Sequence, residues 1–131
     1  MENNKHFLSI IHSPSDKRYN NFINTVVDTE EVWLLDGGEG YCSLDMDDQI
    51  NIIVYPTREF ADYFSEGAVP IMMEIHDFCR ECKRLFENRN VGFAVFPNEE
   101  SAIRVSTRDL YEDVINALME VEDLEEEFLN D

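Results

Sequence analysis

The residue pattern predicts an α+β domain: a mostly antiparallel sheet of about five strands with helices packed on one face. Three observations carry that expectation. Strand-like runs fall in two groups, one between Glu31 and Tyr55 and one between Val91 and Val105, with helix-like stripes around both. No stretch rich in Gly, Ser or Pro separates the groups, and no internal repeat is present. With 131 residues, 44% of them hydrophobic and 11% aromatic, the chain suits one domain over 1–131 that buries roughly 65 to 70% of its unfolded surface.

Asn4 to His12 carries Phe7, Leu8 and Ile11 at helical spacing. Ser13-Pro14-Ser15-Asp16 then reads as an N-cap, a proline at the first helical position and an acidic residue at the third. The helix that follows shows an apolar stripe of Tyr19, Phe22, Ile23, Val26 and Val27. Val32-Trp33-Leu34-Leu35 is strand-like and runs into Gly37-Gly38-Glu39-Gly40, residues free to take positive φ, which signals a hairpin. Tyr41 to Leu44 should return, Asp45 to Gln49 should turn, and Ile50 to Tyr55 should complete a three-stranded meander ended by Pro56.

Thr57-Arg58-Glu59 caps a short helix with Phe60, Tyr63 and Phe64, stopped by Gly67 and Pro70. Val69 to Glu74 is β-like in composition but Ile71 to Glu74 is ambiguous as an element, and from there the spacing of Ile75, Phe78, Cys82, Leu85 and Phe86 is helical. Val91 to Phe96 is a buried-strand run ended by Pro97, and Ala102 to Val105 is a further strand. Ser106-Thr107-Arg108-Asp109 caps a last helix whose apolar positions are Leu110, Val114, Ile115, Leu118 and Val121. Beyond about residue 122 the like charges at helical spacing predict a fraying acidic tail.

Arg18-Tyr19, Phe22-Ile23, Glu30-Glu31-Val32-Trp33-Leu34-Leu35, Gly40, Tyr55-Pro56 and Val95-Phe96-Pro97 together resemble a bacterial family defined only as a domain of unknown function, DUF2750. The resemblance extends from about His12 to Val121. It implies one domain and brings no activity, cofactor or catalytic residue with it. In that family a tryptophan commonly stands at the position of Tyr55, and the segment holding Cys79 and Cys82 is an ordinary apolar helix. A role for the two cysteines would therefore be private to this chain.

Ten Lys and Arg against 29 Asp and Glu give a formal charge of -19. Nucleic acids and anionic membrane surfaces should be repelled, and a charged partner should be a basic protein. Three cysteines, Cys42, Cys79 and Cys82, are too few and odd in number for a disulfide framework, which indicates a reducing compartment. The first residues lack a basic start followed by a long apolar run, so the expected location is the cytoplasm.

The sharpest local motif is His76-Asp77-Phe78-Cys79-Arg80-Glu81-Cys82. A Cys-x-x-Cys pair at a helix start can gain a stabilised thiolate from backbone N–H groups and the helix dipole, which makes Cys79 and Cys82 candidates for thiol redox chemistry. His76, Cys79 and Cys82 at spacings of three spread over roughly 120° of a helix, so they form a metal-ligand set only if that face curves round the ion. Asp45-Met46-Asp47-Asp48-Gln49 opens like a calcium loop, but Ile50 and Pro56 stand where glycine and a bidentate glutamate are needed, and a solvated turn is expected instead. His6 and His12 belong to no nucleophilic triad, and Gly37 to Gly40 lacks the lysine and helix of a phosphate loop.

From Asp109 to Asp131 there is no Lys or Arg. Glu120, Asp123, Glu126 and Glu127, with Phe128 set among them, form an acidic and apolar helical surface suited to docking on a groove, in this chain or in a partner. The sequence therefore predicts a non-enzymatic protein-binding module, of the inhibitor or immunity type, that uses no cofactor. A thiol redox enzyme or sensor built on Cys79 and Cys82 is the alternative.

Overall fold

A computed structural model describes the backbone of residues 2–129 and the side chains of residues 5–122. Its elements run in the order α1 (Glu2–Ile11), α2 (Ser15–Thr29), β1 (Glu31–Asp36), β2 (Ser43–Met46), β3 (Gln49–Val54), α3 (Arg58–Tyr63), β4 (Val69–Glu74), α4 (Ile75–Arg84), β5 (Val91–Val95), β6 (Ile103–Ser106) and α5 (Thr107–Leu129). The α+β class holds. The single sheet of about five mostly antiparallel strands is replaced by two sheets, an antiparallel pair β1-β4 and a mixed sheet in the order β2-β3-β5-β6.

The departure comes from β1. Its strand-long partner is β4, with Glu31 opposite Glu74 and Asp36 opposite Val69, and not β2 as a meander requires. Gly37 to Gly40 does fold the chain back, with Gly37 N–H donating to the Gly40 carbonyl at 2.9 Å, but only one bridge, Asp36 to Tyr41, follows. Midway along β1 a second bridge reaches Tyr55, Trp33 and Tyr55 exchanging N–H to carbonyl bonds of 3.0 and 2.8 Å. These bridges stitch the two sheets together. Within the mixed sheet, β3 and β5 run parallel, Ile52 facing Phe93, because α3, β4 and α4 supply the long crossover that a parallel pair needs.

The β2–β3 turn is tighter than expected. Asp47 and Asp48 take φ of 54° and 61°, the left-handed pair of a two-residue hairpin turn, which short polar side chains tolerate better than branched ones. Asp45 accordingly belongs to β2, opposite Ile50.

The helix starts are local chemistry. Thr57 Oγ1 accepts from the Phe60 N–H at 3.3 Å, and Ser106 Oγ accepts from the Asp109 N–H at 3.0 Å, so both expected caps form. Ser13 does not cap α2. Its hydroxyl donates to the Ile10 carbonyl at 2.6 Å, and Pro14 takes the N-cap position, its carbonyl receiving the Arg18 N–H at 3.0 Å. At the far end Glu30, with φ of 61°, turns the chain into β1.

Alternation along β5 sets the core. Phe93 and Val95 enter the cluster that holds Phe22, Val26, Phe78, Leu110 and Val114, each buried side chain of this kind contributing about 1.5–3 kcal/mol. Gly92 and Ala94 are buried outside that cluster, on the other sheet face. Phe7 of α1 stacks on Phe60 of α3, ring centroids 4.6 Å apart. Among the described residues no helix is long and apolar enough to cross a membrane.

Candidate functional site

Helix α4 places the cysteines where its N-terminus does not reach them. Glu74 is the N-cap, and its carboxylate accepts from the His76 N–H at 2.9 Å and the Asp77 N–H at 3.3 Å. With the Ile75 N–H donating to the Glu30 carbonyl at 3.0 Å, the first-turn donors are already bonded, two of them to an anion. Cys79 lies one turn further in, 7% exposed, and Cys82 is fully buried. Burial, with Glu74 nearby, pushes the Cys79 thiol up, and burial with Cys79 as neighbour pushes Cys82 up to about 12. Both sulfurs are therefore held as thiols at neutral pH.

His76 points away from them. Its Nδ1 lies 2.5 Å from Glu74 Oε1, and its side chain is 61% exposed, whereas Cys82 faces the core beside Phe78. Among the described residues no three of His, Cys, Asp and Glu gather in a metal-holding group, so His76, Cys79 and Cys82 do not form the ligand set considered from their spacing.

Of the acidic surface expected on the last helix, Glu120 lies among the described side chains; Asp123, Glu126, Glu127 and Phe128, and the tail beyond residue 122, lie outside them. Glu120 lines a groove of about 450 Å³ between α2 and α5. Tyr19, Ile23 and Ala117 form its half-buried floor, and Asn20, Asn24, Asp113, Asn116 and Glu120 form its exposed walls. Among the described residues no Lys or Arg lines it. The Tyr19 hydroxyl donates to Asp113 Oδ2, and burial together with that bond raises the phenol's pKa above its ordinary value, so Tyr19 keeps its proton and holds the carboxylate in place.

The groove's amides are the residues that sequence patterning did not single out. Asn20 and Asn24 stand four apart beside the apolar pair Tyr19 and Ile23, which puts a polar row next to a half-buried one on a single helix face. The Asp113 and Glu120 carboxylates and the amides of Asn20, Asn24 and Asn116 line one groove, and carboxylate and amide oxygens are the acceptors with which guanidinium and ammonium groups pair.

A second unforeseen feature is the burial of Arg18, 1% exposed. Its Nε donates to the Phe96 carbonyl at 2.9 Å, Nη1 to the Ser13 carbonyl at 2.5 Å, and Nη2 to the Ser101 carbonyl and hydroxyl at 3.1 and 2.8 Å. Tyr55 donates its hydroxyl to the Pro97 carbonyl at 3.3 Å, its ring lies edge-on to Phe96, and Trp33 bridges its backbone. Arg18, Trp33, Tyr55, Phe96 and Pro97, scattered through the sequence, thus converge on one point. That point ties the α1–α2 corner to the end of β5.

The architecture is that of an α+β protein with an acidic groove between two helices and a buried arginine linking three chain segments. The chain belongs to the family of proteins of unknown function DUF2750, whose model matches residues 19–114, and within that stretch lie all the residues of the convergent cluster except Arg18. No curated protein and no solved structure matches the chain.

Proposed function

We propose that this protein is a non-enzymatic, cytoplasmic protein-binding module that recognises a basic protein, in the manner of an inhibitor or immunity protein. The observation that carries this reading is the α2–α5 groove, walled by Asp113, Glu120, Asn20, Asn24 and Asn116 without a basic side chain, on a chain of formal charge -19. A Lys or Arg of the partner would enter the groove, pair with Asp113 and Glu120 and donate its remaining protons to the amide oxygens. The surrounding negative field would steer the encounter and raise the association rate. The three free cysteines fit a reducing compartment.

The test uses the protein as bait in a lysate of its host at low salt, beside a variant carrying Asn116→Lys and Glu120→Lys. The expected result is a basic protein held by the wild type, released by rising salt and not held by the variant. A complex that resists salt, or that the variant retains equally well, overturns the proposal.

A further inference from the structure

A different cavity opens where α4 lies over the junction of the two sheets. Leu34 of β1, Phe78 of α4 and Phe93 of β5, each no more than 2% exposed, form its floor. Ile52, Met73, Leu85 and Val91 form half-buried walls. The volume is about 170 Å³. At the mouth stand Tyr41 and Ile50, 43% and 50% exposed, and the ion pair in which Arg84 Nη2 donates to Glu81 Oε1 at 2.6 Å.

Protein interiors pack as densely as organic crystals, and a void of this size forfeits dispersion contacts that a close-fitting occupant would restore. Water gains little there, because a buried water needs two to four polar partners and the floor and walls offer carbon and sulfur. An apolar cavity of about 150 Å³ stays dry and takes up benzene. The space here accommodates one six-membered ring. Polar atoms are confined to the mouth, so a bound ring would carry its polar substituent on one side, toward Tyr41 and the Glu81–Arg84 pair. Arg84 is already bonded through Nε and Nη2 to Glu81, which leaves no uncompensated positive charge to receive a carboxylate, and the field of the whole chain repels anions.

We infer that this pocket is a binding site for a small neutral aromatic molecule, a single ring bearing one hydroxyl, with the ring against Phe78 and Phe93 and the hydroxyl at the Glu81–Arg84 pair. The site is independent of the α2–α5 groove and stands or falls apart from it.

Benzyl alcohol is the probe, titrated into methyl-labelled protein and followed by carbon-13 methyl NMR, with benzoate as the charged counterpart. Saturable shifts and probe contacts at the methyls of Leu34, Ile52, Leu85 and Val91, with benzoate at least tenfold weaker, are expected. Val91→Phe, which fills the cavity, should weaken benzyl alcohol at least tenfold; if that variant does not fold, Ile50→Trp at the exposed rim takes its place. No saturable shift at millimolar probe, contacts confined to other residues, binding undiminished in a folded filling variant, or benzoate bound as well as the alcohol would each overturn the assignment.

Discussion

The Nε of Arg18 donates to the main-chain carbonyl of Phe96, 78 positions further along the chain, at 2.9 Å. Phe96 holds φ at 46°, a left-handed setting that costs a bulky residue of order 1–2 kcal/mol. Two bonds offset it, the one from Arg18 and the one from the Phe96 N–H to the Val54 carbonyl at 2.8 Å. A guanidinium is suited to this position because its fixed fork spans three chain segments at once.

Arg18→Met should therefore cost about 3 kcal/mol of stability, since it leaves the Phe96, Ser13 and Ser101 carbonyls short of a charged donor. Arg18→Lys should cost about 2 kcal/mol, because a single ammonium cannot span the same acceptors. Urea denaturation of both variants checks this. A loss below about 1 kcal/mol for Arg18→Met would mean that the cluster does not organise the fold.

Gly92→Ala should cost about 1–3 kcal/mol, the range of overpacking in a dense interior. A Cβ there would lie 2.8 Å from Asn51 Oδ1, 3.0 Å from Arg104 Nη2 and 3.1 Å from the Val105 carbonyl. Asn51 has no room to retreat: it is fully buried, and its Nδ2 donates to the Leu44 and Gln49 carbonyls at 3.2 and 3.1 Å. The same unfolding assay tests it, and Asn51→Ala in the Gly92→Ala background should recover part of the added crowding cost. Strict additivity of the two losses would show that the residues do not press on one another.

The helices were legible in the sequence because each buries a stripe at helical spacing, and caps such as Thr57 and Ser106 are local. The sheet order was not. β1 pairs with β4 across an intervening hairpin and helix, and no short-range pattern distinguishes Leu35 facing Pro70 from Leu35 facing a nearer strand. Arg18 left a trace that composition rules overrode: with Phe22 and Val26 it stands at i, i+4 and i+8, the buried row of α2, yet an arginine there is ordinarily assigned to solvent. The groove was half legible, through the acidic α5 that carries Glu120; its Asn20 and Asn24 wall depends on how two helices meet.

The cysteines of α4 should behave as core residues toward an alkylating agent, a response that separates the binding reading from the thiol one. With Cys79 raised and Cys82 near 12, the thiolate fraction at pH 7.5 is small for both, and neither is accessible. Native protein treated with iodoacetamide should be modified mainly at half-buried Cys42, and all three should react in denaturant. Peptide mapping by mass spectrometry reads the sites. Rapid native modification of Cys79 would favour the redox alternative over the binding one.

The start of α4 carries a pH dependence. The bond from His76 and its charge hold Glu74 below the usual carboxyl range, and Glu74 in turn raises His76 above the ordinary histidine value of about 6.5. For His76 the contribution is full below that ordinary value and is lost as pH rises through the raised one. For Glu74 it is present above the ordinary carboxyl range and is lost as pH falls through the depressed value. The pair therefore operates at acidic pH between those limits, while the cap on the His76 and Asp77 amides persists at higher pH, because the carboxylate remains ionised. NMR titration should give His76 a midpoint above about 6.5, and Glu74→Gln should return it toward that value. Glu74→Ala should in addition speed amide exchange at His76 and Asp77, since it removes the acceptor itself. A His76 midpoint unchanged by Glu74→Gln would show that the two side chains do not meet in solution.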